Sequence, residues 1–431
     1  MPGSILTIMF IGAVIAFVVV AAARDHRLRM ATSYPADMRL FRSNWTKAAL
    51  VGAGFLYVSV PAGFSWIGHG SVHLPNKLIP GLPMSDFWLS VMCFAGIYSL
   101  GALGLTLLIG FTGQVSIGQS FFVGLGAYSV GYFGKDWTPF GDRPLPFLVW
   151  FLIAGLLGAV FSAMVGPFAL RLRGHYLAVV SIGLVITFEW LANFPFESIT
   201  KGTGGRNDLP AATLTIWPGK TIYFSVPEAE KGAGDLFGYT WSKEATHFWL
   251  IWAVVIIGLI IAKNVTRSRQ GRAMMAIRDR DLSAEAIGVS QAYTKVWAFA
   301  LAGGFAACAG ALYASYYSYA KPDTFGGPSG LAFSIQFVVM IIIGGSGSLA
   351  GPVLGGVAVA ALDFVIERFH WLVDWLPFVQ SNPAARGLTV PRFIKVLQGL
   401  IIIIFLMFAP LGINGLWQRI KKYFSTWPFS T

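Results

Sequence analysis

Two histidines, His69 and His73 in HGSVH, are spaced so that one helical turn could offer both imidazoles to a zinc ion. A zinc hydrolase also needs a glutamate between them as general base, and Gly70, Ser71 and Val72 fill that interval. The stretch runs into Pro75 and reads as a loop, not as a metal site. Gly219-Lys220-Thr221 has the ending of a phosphate-binding loop. The glycine that opens such a cradle belongs five residues before Gly219, where Leu214 stands. No catalytic group, metal cluster or nucleotide site follows from spacing anywhere in the 431 residues. The sequence reads as a non-enzyme with no cofactor of its own.

Glu189, in SIGLVITFEWLANF, raises a different kind of chemistry because of its setting. A soluble domain carries about 25% charged residues; this chain has 12%, with 55% hydrophobic residues. The apolar residues fall in runs such as Leu145–Leu170 and Val296–Tyr317, and about 20 of them suffice to cross a bilayer core as a helix. The fold class expected is an all-α polytopic membrane protein. Cys93 and Cys308 both lie in apolar runs and read as packing residues. A carboxylate inside a span is costly and is a functional candidate by default. Glu189 could face a substrate's ammonium group, join two helices by a hydrogen bond, or reach solvent at the outer interface.

Eleven spans are predicted, near 3–23, 48–68, 87–110, 117–134, 145–170, 176–194, 247–262, 296–319, 331–345, 352–366 and 393–411. Alternation puts 24–47, 171–175, 263–295 and the tail after 411 on one side, with 18 Lys/Arg against 5 Asp/Glu. The other side, span ends included, holds 13 of each. The basic side is therefore cytoplasmic, with the N-terminus outside and the C-terminus inside. The formal charge of +12 thus follows membrane topology, and no nucleic acid is implied. Ala21-Ala22-Ala23 mimics a signal cleavage site, but residues 1–10 lack Lys and Arg while Arg24, Arg27 and Arg29 follow the apolar run. That order is the reverse of a signal peptide's, so the first span is read as retained.

The chain divides into an extra N-terminal span and basic loop (1–47), a first transmembrane half (48–194), an extracytoplasmic cap (195–246), a second half (247–411) and a basic tail (412–431). The loop 367–392, with Trp371, Trp375 and Pro377, reads as interfacial.

Two spans are interrupted. LLIGFTGQVSIGQSFF (107–122) carries Gly110, Gly113 and Gly118 together with Gln114, Ser116, Gln119 and Ser120. IIIGGSGSLAGPVLGG (341–356) repeats the glycine spacing at Gly344 and Gly347. Broken backbone at membrane depth survives only when buried in protein or lining a wet cavity, and paired interruptions mark substrate paths in repeat-built transporters. Both stretches could also be cytoplasmic turns rich in glycine for close packing. On the first reading, Gln114, Ser116, Gln119 and Glu189 line a translocation path.

The cytoplasmic loop 263–295 carries charge without catalytic groups. Asp281 is a candidate N-cap, Leu282–Ile287 a short helix and Gly288 its stop. So short a helix is unstable alone, which implies a partner to hold it. Leu282 and Ala286 share one face, Ala284 and Gly288 offer a small-residue face, and Arg278, Asp279, Arg280 and Glu285 flank them. A solvated loop helix is the alternative.

SRQGRAMMAIRDRDLSAEAIGVS (268–290) resembles the coupling loop of ABC-importer permeases, whose loose pattern is Glu-Ala-Ala followed by glycine; here Ile287 takes the third position. GFTGQVSIGQSFFVGLGAY (110–128), LRLRGHYLAVVSIG (170–183), TGGRND (203–208), AGALYASYYSYAKPDTF (309–325) and IIIGGSGSLAGPVLG (341–355) extend the resemblance to the M-type permease of branched-chain amino-acid importers, over residues 87–411. TGGRND departs from that pattern at Asp208, where relatives usually have glycine. The resemblance implies an ABC-importer permease architecture in a bacterial cytoplasmic membrane. It also implies a second homologous permease, two cytosolic ATPases that hold ATP and Mg²⁺, and an extracytoplasmic binding protein. Arg278, Asp279, Asp281, Ala284, Glu285, Ala286 and Gly288 would then form the ATPase-coupling element. Urea, short amides or other amino acids are alternative cargoes. A gradient-driven carrier is the competing class; it would need coupling-ion ligands within the spans, where Glu189 is the only deep acid.

Overall fold

Apolar runs become helices here because a bilayer core offers the backbone no hydrogen-bond partner but itself. A computed structural model describes residues 86–137, 145–171, 175–207 and 243–368, with short stretches between 209 and 240, at 65–66, 379–380, 388–389 and 412–415, and single positions between 396 and 407. α1 (Asp86–Leu105) continues through a π-helical turn at Thr106–Phe111, and α2 (Gln119–Gly131) through another at Tyr132–Asp136. α3 (Phe147–Arg171), α4 (His175–Asn193) and the single turn α5 (Glu197–Thr200) follow. α6 (Lys243–Arg267), α7 (Arg269–Asp279), α8 (Asp281–Ala286) and α9 (Gln291–Tyr317) come next. α10 (Pro322–Phe325), α11 (Gly327–Gly344) and α12 (Gly351–Arg368) complete the helices used below.

Six described helices are long and apolar enough to cross a membrane: Trp88–Phe111, Phe147–Pro167, Tyr176–Asn193, Thr246–Arg267, Gln291–Tyr317 and Gly327–Gly344. The chain is an α-helical multi-pass membrane protein. The expected spans 3–23 and 48–68, and most of 393–411, lie outside the described residues.

The segment expected at 117–134 is helical and lies inside the bundle. α2 and its π-helical continuation run without a break from Gln119 to Asp136. Every residue of α2 except Leu125 is buried, so α2 is an inner helix enclosed by its neighbours. The enclosure depends on missing side chains. A Cβ on Gly310 of α9 would strike the backbone of Val123, and one on Gly158 of α3 would strike the Gly303 carbonyl of α9. Small residues let membrane helices touch backbone to backbone, and Ser162 Oγ donates to the Phe299 carbonyl at 2.6 Å across the α3–α9 seam.

The chain forms two compact units. One comprises Met1–Leu89, Lys231–Thr246 and Trp417–Thr431; its described strands Ser65–Trp66, Asp235–Leu236 and Tyr239–Thr240 make an antiparallel sheet. The other, Ser90–Glu230 and His247–Leu416, holds the bundle. Within it Arg206–Asn207 pairs antiparallel with Tyr319–Ala320, and Thr213–Trp217 forms a hairpin with Lys220–Tyr223. In the 367–392 segment, Val379–Gln380 pairs parallel with Leu388–Thr389.

Candidate functional site

α7 starts where Ser268 Oγ accepts the Gly271 amide at 3.3 Å, the capping bond a helix start needs for one of its orphan amides. Gly271, Met274 and Ile277 are buried and recur every three residues, so they define its inner face. Arg280 is extended, at φ −158°, and breaks the helix. α8 then occupies Asp281–Ala286 with Arg280, not Asp281, at the N-cap position. The Asp281 carboxylate, expected to cap the turn, accepts from Lys295 Nζ instead. α8 stops as expected of a glycine terminator: Gly288 lies at φ +85°, its amide donates to the Glu285 carbonyl at 2.9 Å, and the Val289 amide donates to that of Ala284 at 3.0 Å.

The chain itself holds α8 from two sides. Arg278 Nη1 donates to the Gly110 carbonyl at 2.6 Å. On the other side Lys295 Nζ meets Asp281 Oδ2 at 3.2 Å, and the Lys295 side chain is only 7% exposed. Gln291 Nε2 adds bonds to the Asp281 carbonyl at 3.0 Å and to Glu285 Oε2 at 3.1 Å. All of these bonds to the turn come from its own chain. Lys295 and Gln291, which spacing alone did not single out, are the residues that order it.

The two glycine interruptions meet beside Arg278. Gly113, at φ +70°, lies against the Arg278 side chain, and Gly110 faces the Ser346 carbonyl too closely to admit a Cβ. Gly345 turns the second interruption at φ +106°. The π-helical turn leading into the first is supported by threonine hydroxyls bonded back one turn, Thr106 to the Ala102 carbonyl and Thr112 to that of Leu108.

The outer surface of α8 differs from the expected one. Ala284, assigned above to an open small-residue face, is 2% exposed and packs inward. Leu282 and Ile287 are 74% and 76% exposed; Asp279, Glu285, Ala286 and Gly288 are exposed as well. An apolar pair flanking a short acidic turn, on a backbone already ordered, is a surface suited to a groove on another protein.

The residues assigned to a path fall in two places. Beside the first interruption, Gln119 is buried and its Nε2 donates to the Gly101 carbonyl at 2.9 Å. Ser116 is buried and Gln114 half-buried. Ser120 and Ser334, both fully buried, share a hydroxyl–hydroxyl bond of 2.8 Å, and Ser334 Oγ caps the Ser120 amide at 2.9 Å. Glu189 sits further along α4, half-buried, its side chain against Gly326 and Gly327 at the start of α11. Gly327 is at φ +57°, and a Cβ there would collide with Glu189 Oε2.

At the end of the bundle away from α8, Arg206 of TGGRND is 4% exposed, pairs with Asp136 Oδ1 at 2.5 Å and donates to the Ile199 carbonyl at 3.0 Å. The guanidinium bond holds the Asp136 carboxyl below the usual carboxylate range, against a smaller upward push from desolvation. A charged residue among three glycines was the only sequence signal for this lock.

Residues 87–406 match the family described as branched-chain amino acid transport system / permease component. Over 286 residues the chain is 29% identical to the high-affinity branched-chain amino acid transport system permease protein LivM of Escherichia coli (strain K12), covering 63% of this chain and 60% of the relative. LivM of Salmonella typhimurium (strain LT2) is 29% identical over 287 residues, 64% of this chain and 62% of its own length. The autoinducer 2 import system permease protein LsrC of Enterobacter sp. (strain 638) is 27% identical over 221 residues, 51% of this chain and 58% of its own. The chain thus spans about 60% of the length of the curated relatives it matches. No solved structure matches it.

Proposed function

Because the chain belongs to the permease family of branched-chain amino acid transport systems, we propose that it is a membrane subunit of an ATP-driven importer of branched-chain amino acids. In this reading it sits in a bacterial inner membrane with the α7–α8 end in the cytoplasm, the N-terminus outside and the C-terminus inside. Its partners are a homologous permease, two ATPase subunits that hold ATP and Mg²⁺, and an extracytoplasmic binding protein. The observation that carries the proposal is α8: a turn fastened to its own chain through Arg278 and Asp281 while Leu282, Glu285, Ala286 and Ile287 stay open. A loop helix with no further role has no reason to be braced from behind and apolar in front.

The open face would seat on an ATPase, and the two fastenings would carry its displacement to different helices. Arg278 pulls on the end of α1, and Lys295 on the start of α9. Such a device moves substrate only if the ATPase binds the two arrangements with different free energy. Gln114, Ser116 and Gln119 at the inner end and Glu189 at the outer end are proposed to line the path, Glu189 meeting the substrate's ammonium group.

Purification of the tagged chain from its native membrane tests the assembly: two ATPase subunits and a homologous permease should co-elute. A lone homo-oligomer, or leucine accumulation in vesicles holding this chain alone, would refute it.

A further inference from the structure

α6 and α7 meet at a basic elbow that precedes the turn proposed to seat on an ATPase. Ile256, Ile260, Lys263 and Arg267 recur at i, i+4, i+7 and i+11 and so fall on one stripe of α6. Ile256 and Ile260 are 42% and 53% exposed, and Lys263 and Arg267 are exposed. A bare isoleucine stripe on a membrane-length helix faces acyl chains. Lys263 and Arg267 follow about 4 and 10 Å further along the axis, the depth of a headgroup layer. Beyond Ser268, α7 adds the exposed Arg269 and Arg272, and Arg272 Nη1 donates to the Arg267 carbonyl at 3.3 Å, which holds it at the elbow.

These four cations lack local compensation. Among the described residues none pairs with a carboxylate, and no acidic residue occurs between Glu244 and Asp279. We propose that Lys263, Arg267, Arg269 and Arg272 bind the phosphate headgroup of an anionic phospholipid whose acyl chains lie along the Ile256–Ile260 stripe. The continuity of stripe and cations selects this occupant. Lys263 and Arg267 lie where a headgroup layer begins beyond that stripe, so the phosphate within their reach is that of the lipid whose chains cover the isoleucines. Each cation near a membrane surface contributes about a fivefold preference for an anionic headgroup.

The full-length chain is reconstituted with photoreactive phosphatidylglycerol or photoreactive phosphatidylcholine, and adducts are mapped by mass spectrometry. Phosphatidylglycerol should label 256–272 severalfold more than phosphatidylcholine. Lys263→Gln, Arg267→Gln, Arg269→Gln and Arg272→Gln together should remove the difference without changing lipid labelling of the exposed Leu152–Met164 face of α3, which reports on folding. The charge-keeping set Lys263→Arg, Arg267→Lys, Arg269→Lys and Arg272→Lys should retain it. Equal labelling by both lipids, or a preference that survives the glutamines, overturns the proposal. So does displacement of the lipid by inorganic phosphate, which would mean a free-anion site. Shielding of the elbow by added ATPase subunits would mean a protein surface, and overturns it equally.

Discussion

The guanidinium of Arg278 donates to the Gly110 carbonyl at 2.6 Å, joining residues 168 positions apart in the chain. It ties the last turn of α7 to the point where the first interrupted helix breaks. Arg278→Ala should leave the chain folded and inserted, lower leucine uptake at least tenfold in vesicles holding the assembled complex, and leave its ATP hydrolysis within a factor of two or so. A charge-assisted hydrogen bond is worth about 1.5–3 kcal/mol, enough for a change of that size. Parallel loss of both activities would reduce Arg278 to a folding role.

Gly110 should be less tolerant than Gly113. A Cβ at Gly110 would strike the Ser346 carbonyl, whereas one at Gly113 meets Arg278 Cγ at 3.6 Å, ordinary contact, at the cost of φ +70°. Gly110→Ala should destabilise the detergent-purified chain by about 1–3 kcal/mol through overpacking, and Gly113→Ala by about 1 kcal/mol from strain. Melting temperatures in the reverse order would contradict this geometry.

On α8 the prediction separates association from stability. Leu282→Ala and Ile287→Ala remove side chains that touch little of their own chain, so melting should shift by less than about 0.5 kcal/mol while pull-down of ATPase subunits weakens. Ala284→Leu should instead unfold the turn. Glu285→Arg, or a bulky residue at Gly288, should uncouple transport with insertion intact; normal uptake by either variant would exclude this face as the docking surface.

Glu189→Gln should reduce uptake more than assembly. Gly327→Ala, which would displace the Glu189 carboxylate without changing its charge, should reproduce part of that loss. If assembly yield falls in step with uptake in both variants, Glu189 serves only to pack α4 on α11.

Asp136 supplies a pH signature. Its folded pKa is depressed by Arg206, so the stabilisation is complete above the unfolded value, about 4, and is lost as pH falls through the lower folded one. Protection of the amides at 202–207, taken relative to their intrinsic exchange rate at each pH, should hold at neutral pH and fall below about pH 4. Asp136→Asn should lose that protection already at neutral pH and flatten its pH profile, because it leaves the buried Arg206 without its counter-charge. An unchanged profile in Asp136→Asn would mean the cap is held by strand pairing alone.

What could be read from the residues in order is what has a local cause. Apolar run length located the spans now seen at Phe147–Pro167, Tyr176–Asn193 and Gln291–Tyr317, because crossing a hydrocarbon layer is decided within one segment. Gly288 could be read as a helix stop because left-handed backbone is a property of one residue. The setting of α2 was not legible in the same way: hydropathy reports that a segment avoids water and does not distinguish lipid from protein as its surroundings. Only packing revealed that distinction, through glycines that bring α9 against α2.

Sequence alone thus determined that this is a multi-pass helical membrane protein and that a short polar turn follows α7. Tertiary structure decided which charges of that turn are spent inward, on Gly110 and Lys295, and which side remains open. The reason is physical: hydropathy and backbone propensity act over neighbouring residues, whereas a hydrogen bond between positions 110 and 278 exists only once the helices carrying them have packed.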